Sequence, residues 1–410
     1  MYPNPTHRSR VRERTAATLS PASRFRVPRR ILVSSATMSS PLPDAVPLRE
    51  VKRALVTKLR HYGDVLLASP VYSTLKHAAP HIEIDALVYS DTAPMLENHP
   101  AITRLFTIDR EWKRQDAVRH FASEWALIRA LRARHYELLV HLTEHPRGLT
   151  FARLLRPRYA VTRERNGDSL LWRRRFTHFY KTPAKTPRHT VETNLDALRR
   201  IGIYPSPADK RLLLVPGAAA EAKIAELLAH HGLVKGQFVQ AHPGSRWLFK
   251  CAPIDRVAAL LDQIVESGLR VAITGAPDAR EHAIAAQIVA SCAPSTRSAL
   301  IDLVGMLTLP ELAALTAQAR AFVGVDSAPM HIAAAMQTPT LAFFGPSSED
   351  IWGPWQVPHR IIASTAHPCR PCNLDGCGGG KVSECLTTLA ADGVNAHFLS
   401  LLRDTTDRAS

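Results

Sequence analysis

With 410 residues, 46% of them hydrophobic and 21% charged, the chain is too long for one ordinary domain and long enough for two, each able to bury its own core. That balance argues against wholesale disorder and against a multi-span membrane protein, and no run reaches the roughly 18 uninterrupted apolar residues that a membrane-crossing helix needs. The formal net charge of +16 points to an anionic partner: nucleic acid, an acidic membrane face or a phosphorylated substrate.

Residues 1–50 hold nine arginines, no lysine and three acids, so they supply +6 and leave +10 on the remainder. They lack hydrophobic periodicity and are rich in Arg, Pro, Ser and Thr, which predicts a disordered basic tail. The apolar island at 31–33 is shorter than a signal-peptide core, and Met38 lies just ahead of the first strand, so an over-extended start is the competing expectation. From residue 51 short β-branched runs alternate with longer amphipathic stretches, the pattern of α/β units around parallel sheets. Strands are predicted at 54–59, 82–88, 102–108 and 138–142. A helix is predicted at 117–135, where Phe121, Trp125, Ile128 and Leu131 recur at helical spacing. The basic, aromatic stretch 163–185 reads as a loop or domain edge carrying Arg173, Arg174 and Arg175, with Pro183 and, just beyond, Pro187. A helix over 189–203 then leads to Tyr204-Pro205-Ser206-Pro207, a linker signal that sets the expected boundary between domains 51–205 and 206–385, with 386–410 a final helix and tail. The second half repeats the alternation, with strands at 238–241, 270–274, 300–304, 321–325 and 340–344. Helices are expected at 283–290 and at 254–267, the latter burying Val257, Leu260, Leu261, Ile264 and Val265. Two doubly wound domains place a cleft between the carboxyl ends of their sheets, where ligands of such folds bind.

Cys251 and Cys292 stand alone, whereas Cys369, Cys372, Cys377 and Cys385 cluster. Without a secretory signal, free thiols in a reducing cytoplasm are the default. The cluster can be read as a zinc or iron–sulfur site, but it offers two close pairs at best. Pro368, Pro371 and the glycine-rich stretch 376–380 fit a tight loop with buried thiols instead.

Three segments could carry chemistry. In Lys58-Leu59-Arg60-His61-Tyr62-Gly63-Asp64-Val65-Leu66-Leu67, Gly63 permits a tight turn and Asp64 falls at a helix start. There it is either a plain N-cap or a carboxylate at the mouth of the cleft that accepts a proton from a hydroxyl. In His242-Pro243-Gly244-Ser245-Arg246-Trp247-Leu248-Phe249-Lys250, a glycine turn beside Arg246 and Lys250 could approach phosphate oxygens; as a bare pattern it is equally a solvated basic loop. It matches neither the Walker spacing nor G-x-G-x-x-G, which weakens ATPase and dinucleotide readings. In Gly324-Val325-Asp326-Ser327-Ala328-Pro329-Met330-His331, a strand runs into a helix with Pro329 in its first turn, and the exposed amides there make an anion site to which Ser327 adds a hydroxyl. His331 alone would read as a structural histidine; its coincidence with Asp326 and Ser327 favours a phosphate site.

Together these segments resemble the family 9 glycosyltransferases, the lipopolysaccharide heptosyltransferases, over about residues 51–390, and most closely the heptosyltransferase III subgroup. The resemblance implies a GT-B fold of two Rossmann-like domains and inverting, cofactor-free and metal-independent transfer from ADP-L-glycero-D-manno-heptose to the lipopolysaccharide inner core. Asp64 matches the family's catalytic base and Lys250 its phosphate-binding lysine. Ser245, Arg246, Asp326, Ser327, Ala328 and His331 fall on the donor side, and Arg60, His61 and Gly63 on the acceptor side. Ala328 stands where family members often have glycine. The implied location is the cytoplasmic face of the inner membrane, held peripherally, with no nucleic-acid partner. Two other classes are open to the same sequence. One is a sugar-nucleotide epimerase on this architecture. The other is a nucleic-acid-binding protein using Arg173, Arg174 and Arg175 interleaved with Trp172, Phe176 and Tyr180, although no recognised nucleic-acid motif is present.

Overall fold

The computed structural model describes residues 42–406 except 115, 144, 166, 184, 185, 391 and 392, so the expected tail over 1–41 and residues 407–410 lie outside the described residues. Two parallel six-stranded sheets organise the chain. The first contains β1 (Arg53–Thr57), β2 (Glu83–Tyr89), β3 (Arg104–Ile108), β4 (Leu138–His141), β5 (Tyr159–Arg163) and β6 (His178–Tyr180), in the order β3-β2-β1-β4-β5-β6. The second contains β7 (Phe238–His242), β8 (Arg270–Ile273), β9 (Leu300–Asp302), β10 (Ala321–Val325), β11 (Thr340–Phe344) and β12 (His359–Ala363), in the order β12-β11-β10-β7-β8-β9.

The central strands are covered by helices on both faces, which is why they read as continuous apolar runs. In β1, Ala54 and Val56 pack with Leu75 of the Ser69–Ala78 helix and Leu195 of the Thr190–Arg200 helix, while Leu55 points the other way toward Leu127 and Leu131. In the second sheet Val239 and Ala241 meet Leu260, Leu261 and Ile264 of the Ile254–Glu266 helix, and Phe238 faces Ile224 and Leu315. Each sheet starts in its middle, builds outward, then returns to the other side of its first strand, so crevices open beside β1 and β4 and beside β7 and β10. The three motif segments leave β1, β7 and β10.

Several expectations change. Residues 42–50, assigned to the tail, pack onto the first half: Val46 is buried in its core and Asp44 is gripped by both terminal nitrogens of Arg200. The stretch 163–185 is not simply a loop, because it holds the helix Leu170–Arg173 and the edge strand β6, which pairs with β5. Its aromatic residues do not interleave with the arginines at the surface, since Trp172, Phe176 and Tyr180 are buried. Strand β5, paired with β4, and strand β12, which closes the far edge of the second sheet, have no counterpart among the predicted strands. Beyond the expected linker, Leu212 and Leu214 still pack into the first core, and the amide of Leu213 donates to Ser69 Oγ at 2.9 Å. That core also takes in Leu312, Ala313, Ile332 and Ala334 from the second half, so the two halves share an apolar contact.

Candidate active site

The β1 segment is anchored before it reaches the cleft. Lys58, 6% exposed, donates from Nζ to the Leu142 carbonyl and to Asn194 Oδ1, and Leu59 N donates to Thr143 Oγ1 at 2.8 Å. These bonds tie the end of β1 to the loop after β4 and to the Thr190–Arg200 helix, and they aim the short helix Tyr62–Leu66 at the crevice. Asp64 is the third residue of that helix and not its cap; the cap position is His61, which makes no side-chain capping bond. The Asp64 carboxylate is 13% exposed, and its partner is Arg60 Nε at 3.7 Å, across one turn.

Gly63 has a different purpose from the tight turn expected of it. It is helical, and a Cβ placed there would lie 2.7 Å from His331 Cδ2 and 3.3 Å from Nε2. The missing side chain lets the first half's helix rest on the imidazole of the second half, with the Ala328 backbone next nearest. The base candidate is therefore one residue away from the donor-side helix Ala328–Ala335. At that helix start Ser327 Oγ and His331 Nδ1 are buried and have no hydrogen-bond partner among the described residues. Burial pushes the His331 pKa down to about 4, with Asp326 pulling against it, so the ring is neutral at physiological pH.

Lys250 ends a short 3-10 turn, Leu248–Lys250, held by buried Phe249, whose carbonyl accepts from Ser383 Oγ at 2.7 Å. Its Nζ reaches Asp326 Oδ2 at 2.6 Å, so segments 76 residues apart form one ion pair beside the helix start. Ser245 is buried and accepts from the Trp247 amide, while Arg246 is exposed with its guanidinium 5.3 Å from the Trp247 ring centroid. Arg246 also acts across the cleft. Partial desolvation, followed by the neighbouring cations Arg110, Arg246 and Arg60, lowers the His61 pKa against the pull of Asp64.

The expectation that Gly244 serves close phosphate approach needs revising. A Cβ on Gly244 would meet Glu281 Oε2 at 2.6 Å, and one on Gly275 would meet the same atom at 3.1 Å. The two glycines make room for a buried carboxylate that the sequence reading passed over. Glu281 accepts from the Ala276 amide at 2.7 Å and stands 3.5 Å from His242 Nε2. Burial raises its pKa, but the His242 and Ala276 interactions outweigh this and hold it below the usual carboxylate value. Glu281, His242 and Thr274, whose hydroxyl lies 3.0 Å from His242 Nδ1, form a polar group at the carboxyl ends of β7 and β8. The available signal was the pair of glycines, one after each strand.

A cleft of about 1040 Å³ opens on the first half's side of Asp64. Lys58, Arg60, Arg163, Arg165, Lys181 and Arg188 line it against the carboxylates of Asp64 and Glu164, and Ile351 and Trp352 of the second half close one wall. Of the expected acceptor residues, Arg60 lines this cleft, whereas His61 and Gly63 do not. All the thiols are free, and the cysteine loop differs from the buried-thiol expectation. Cys385 is buried, but Cys369 and Cys377 are exposed, because the loop turns outward through Gly376, Gly378 and Gly379 at positive φ. Among the described residues no group of three or more His, Cys, Asp or Glu side chains could hold a metal ion, and no helix is long and apolar enough to cross a membrane.

This architecture is that of the two-domain GT-B glycosyltransferases. It matches the glycosyl transferase family 9 structure from Veillonella parvula with a TM-score of 0.72 at 21% identity, covering 86% of this chain and 98% of that one. It matches the E. coli ADP-heptose lps heptosyltransferase II with a TM-score of 0.67 at 19% identity, covering 87% and 99%. Residues 124–382 fit the model of glycosyltransferase family 9 (heptosyltransferase). Lipopolysaccharide heptosyltransferase 3 of Escherichia coli is 35% identical over 298 residues, 72% of this chain and 84% of that protein. Lipopolysaccharide heptosyltransferase 1 of Pseudomonas aeruginosa is 24% identical over 340 residues, 79% and 87% respectively. The chain belongs to glycosyltransferase family 9.

Proposed function

We propose that this chain is an inverting, metal-independent heptosyltransferase that moves heptose from ADP-L-glycero-D-manno-heptose onto the lipopolysaccharide inner core, adding the third heptose to a heptose acceptor. The acceptor half comprises residues 51–205 together with residues 42–50 and the segment around Leu212 and Leu214 that pack onto it, and the donor half the rest of 206–385. In one displacement, Asp64 takes the proton of the acceptor hydroxyl as its oxygen attacks the anomeric carbon. The bond from that carbon to the diphosphate breaks on the opposite face, and ADP departs with the bonding pair. Lys250, oriented by Asp326, and the amides and hydroxyl at Ser327 stabilise the charge that develops on the diphosphate. Ser245, Arg246, Ala328 and His331 complete the donor side, and Arg60 faces the acceptor. The enzyme works at the cytoplasmic face of the inner membrane as a peripheral protein, and the basic cleft and net charge serve a phosphorylated, acidic acceptor.

The observation that carries this reading is the seating of Gly63 on His331, which puts Asp64 beside a helix start with two unpartnered buried polar atoms, Ser327 Oγ and His331 Nδ1. The sequence likeness to heptosyltransferase 3 of E. coli favours the third-heptose acceptor. The nucleic-acid alternative loses support because the aromatic residues it needs are buried. The test is transfer of heptose from ADP-heptose to purified core acceptors without added metal, comparing the wild type with Asp64→Asn and Lys250→Ala. Asp64→Asn is expected to abolish transfer while retaining donor binding, and Lys250→Ala to weaken both. Tight donor binding with no transfer to any core acceptor would overturn the assignment.

A further inference from the structure

The helix Ala117–Arg132 carries two apolar faces, and the fold uses only one. Leu127 and Leu131 are buried in the core of the first half. On another side, Val118, Phe121 and Trp125 follow one another at helical spacing and are 79%, 69% and 52% exposed. The Phe121 and Trp125 rings stack, with centroids 6.3 Å apart and planes 9° from parallel, so they form a continuous aromatic ledge and not scattered surface residues. Trp172 of the short helix Leu170–Arg173 is buried in the same cluster as Leu127 and Leu131, yet Leu170 and Leu171 beside it are 75% and 47% exposed.

Cations flank these apolar residues. Arg119 and Arg129 are exposed on the long helix, and Arg173, Arg174 and Arg175 are exposed at the end of the short one. A Trp and Phe ledge with a leucine pair, set among arginines, combines the two forces that hold a protein on an acidic bilayer: burial of aromatic and aliphatic side chains at headgroup depth, and attraction to anionic headgroups. A protein–protein contact would favour depletion of charge around the apolar centre, whereas here the apolar residues are set among charges in which cations predominate: the neighbouring acids Asp116, Glu124 and Asp168 are each paired with an arginine, Arg119, Arg147 and Arg165, and Arg129, Arg174 and Arg175 are exposed beside them. The location fits as well, because Arg173 pairs with Glu164, which lines the cleft beside Asp64.

We propose that Val118, Phe121, Trp125, Leu170 and Leu171, with their flanking arginines, form the surface by which this protein docks on an anionic phospholipid bilayer, placing the mouth of the basic cleft at the headgroup layer. The proposal rests on the reading of the acceptor as lipid-linked, and it adds the face that touches the membrane. Co-sedimentation of the full chain with phosphatidylglycerol–phosphatidylethanolamine vesicles and with phosphatidylcholine vesicles tests it without any sugar substrate. The wild type is expected to bind the anionic vesicles preferentially. The double variant Phe121→Ser/Trp125→Ser is expected to lose at least about tenfold in vesicle affinity. Its unfolding midpoint should be unchanged, because both side chains are exposed. Replacing Arg173, Arg174 and Arg175 by Gln is expected to abolish the anionic preference. With a deacylated, water-soluble acceptor the aromatic variant should transfer at the wild-type rate, while with a vesicle-embedded acceptor it should slow by a similar factor. Failure of transfer to either acceptor would count against the heptosyltransferase reading and leave the vesicle result to stand alone. Absence of wild-type vesicle binding, an aromatic variant that binds like wild type, or a wild-type oligomer that this variant dissociates would each overturn the membrane face.

Discussion

Replacing Gly63 by alanine adds one methyl group where the two halves meet. The new carbon would lie 2.7 Å from His331 Cδ2, about 0.8 Å short of an ordinary contact of roughly 3.5 Å. The imidazole cannot swing into solvent, because His331 is 3% exposed on a helix whose Met330, Ile332, Ala333 and Ala334 are also buried. Relief must come from moving the Tyr62–Leu66 helix, and Asp64 with it, away from the Ala328–Ala335 helix. Overpacking of this kind costs about 1–3 kcal/mol, and a displacement of about 1 Å of a reacting group costs on the order of a hundredfold in rate. Gly63→Ala is therefore expected to lower the denaturant midpoint modestly, to lower kcat by one to two orders of magnitude, and to weaken ADP binding much less. Urea unfolding, isothermal titration with ADP and steady-state transfer assays measure the three effects. The double variant Gly63→Ala/His331→Ala removes the clash and should regain stability relative to Gly63→Ala alone. Wild-type kcat and stability in Gly63→Ala would refute the claim that this contact sets the position of Asp64.

Asp326→Asn removes the carboxylate that holds Lys250 Nζ at 2.6 Å, so donor affinity and kcat should both fall in a transfer assay even though Lys250 itself is intact. Asp85 is fully buried and accepts from Arg134 Nε and Tyr136 Oη, each at 2.7 Å, so Asp85→Ala leaves a nearly buried guanidinium without its main partner. A loss of about 3–5 kcal/mol in urea unfolding is expected. Burial pushes the pKa of His99, His189 and His331 down to about 4 and that of His141 to about 3, from 6.5 in the unfolded chain. Below pH 6.5 the unfolded chain takes up protons that the folded chain refuses, so stability is whole above that value and is lost as pH falls toward 4. Unfolding midpoints measured from about pH 7 to about pH 4.5 should decline, and His141→Gln should flatten the decline; a flat wild-type profile would contradict the burial of these rings.

The alternation of β-branched runs with amphipathic stretches made nine of the twelve strands and the Ile254–Glu266 helix legible, because burial on both sides of a parallel strand writes itself into consecutive residues. The segments Lys58-Leu59-Arg60-His61-Tyr62-Gly63-Asp64 and Asp326-Ser327-Ala328-Pro329 were legible for a related reason: strand, turn and helix start are local, and their chemistry lies within a few residues. Strands β5, β6 and β12 were not: β5 holds only Ala160, Val161 and Thr162 buried between Arg158 and Arg163, and the short β6 and half-exposed β12 are edge strands, which need neither length nor a continuous apolar run and are decided by pairing with β5 and β11. Pairwise contacts between distant segments were equally hidden. Only the sheet order brings Lys250 onto Asp326 and Glu281 against Gly244, and only the docking of the halves puts His331 where Gly63 needs no side chain. By itself, then, the sequence determined the repeating α/β units and the chemical character of each strand-end segment, which depend on local burial and helix-start geometry. The tertiary structure decided which of those segments face one another, because that depends on strand order and on one missing methyl group at the contact between the two halves.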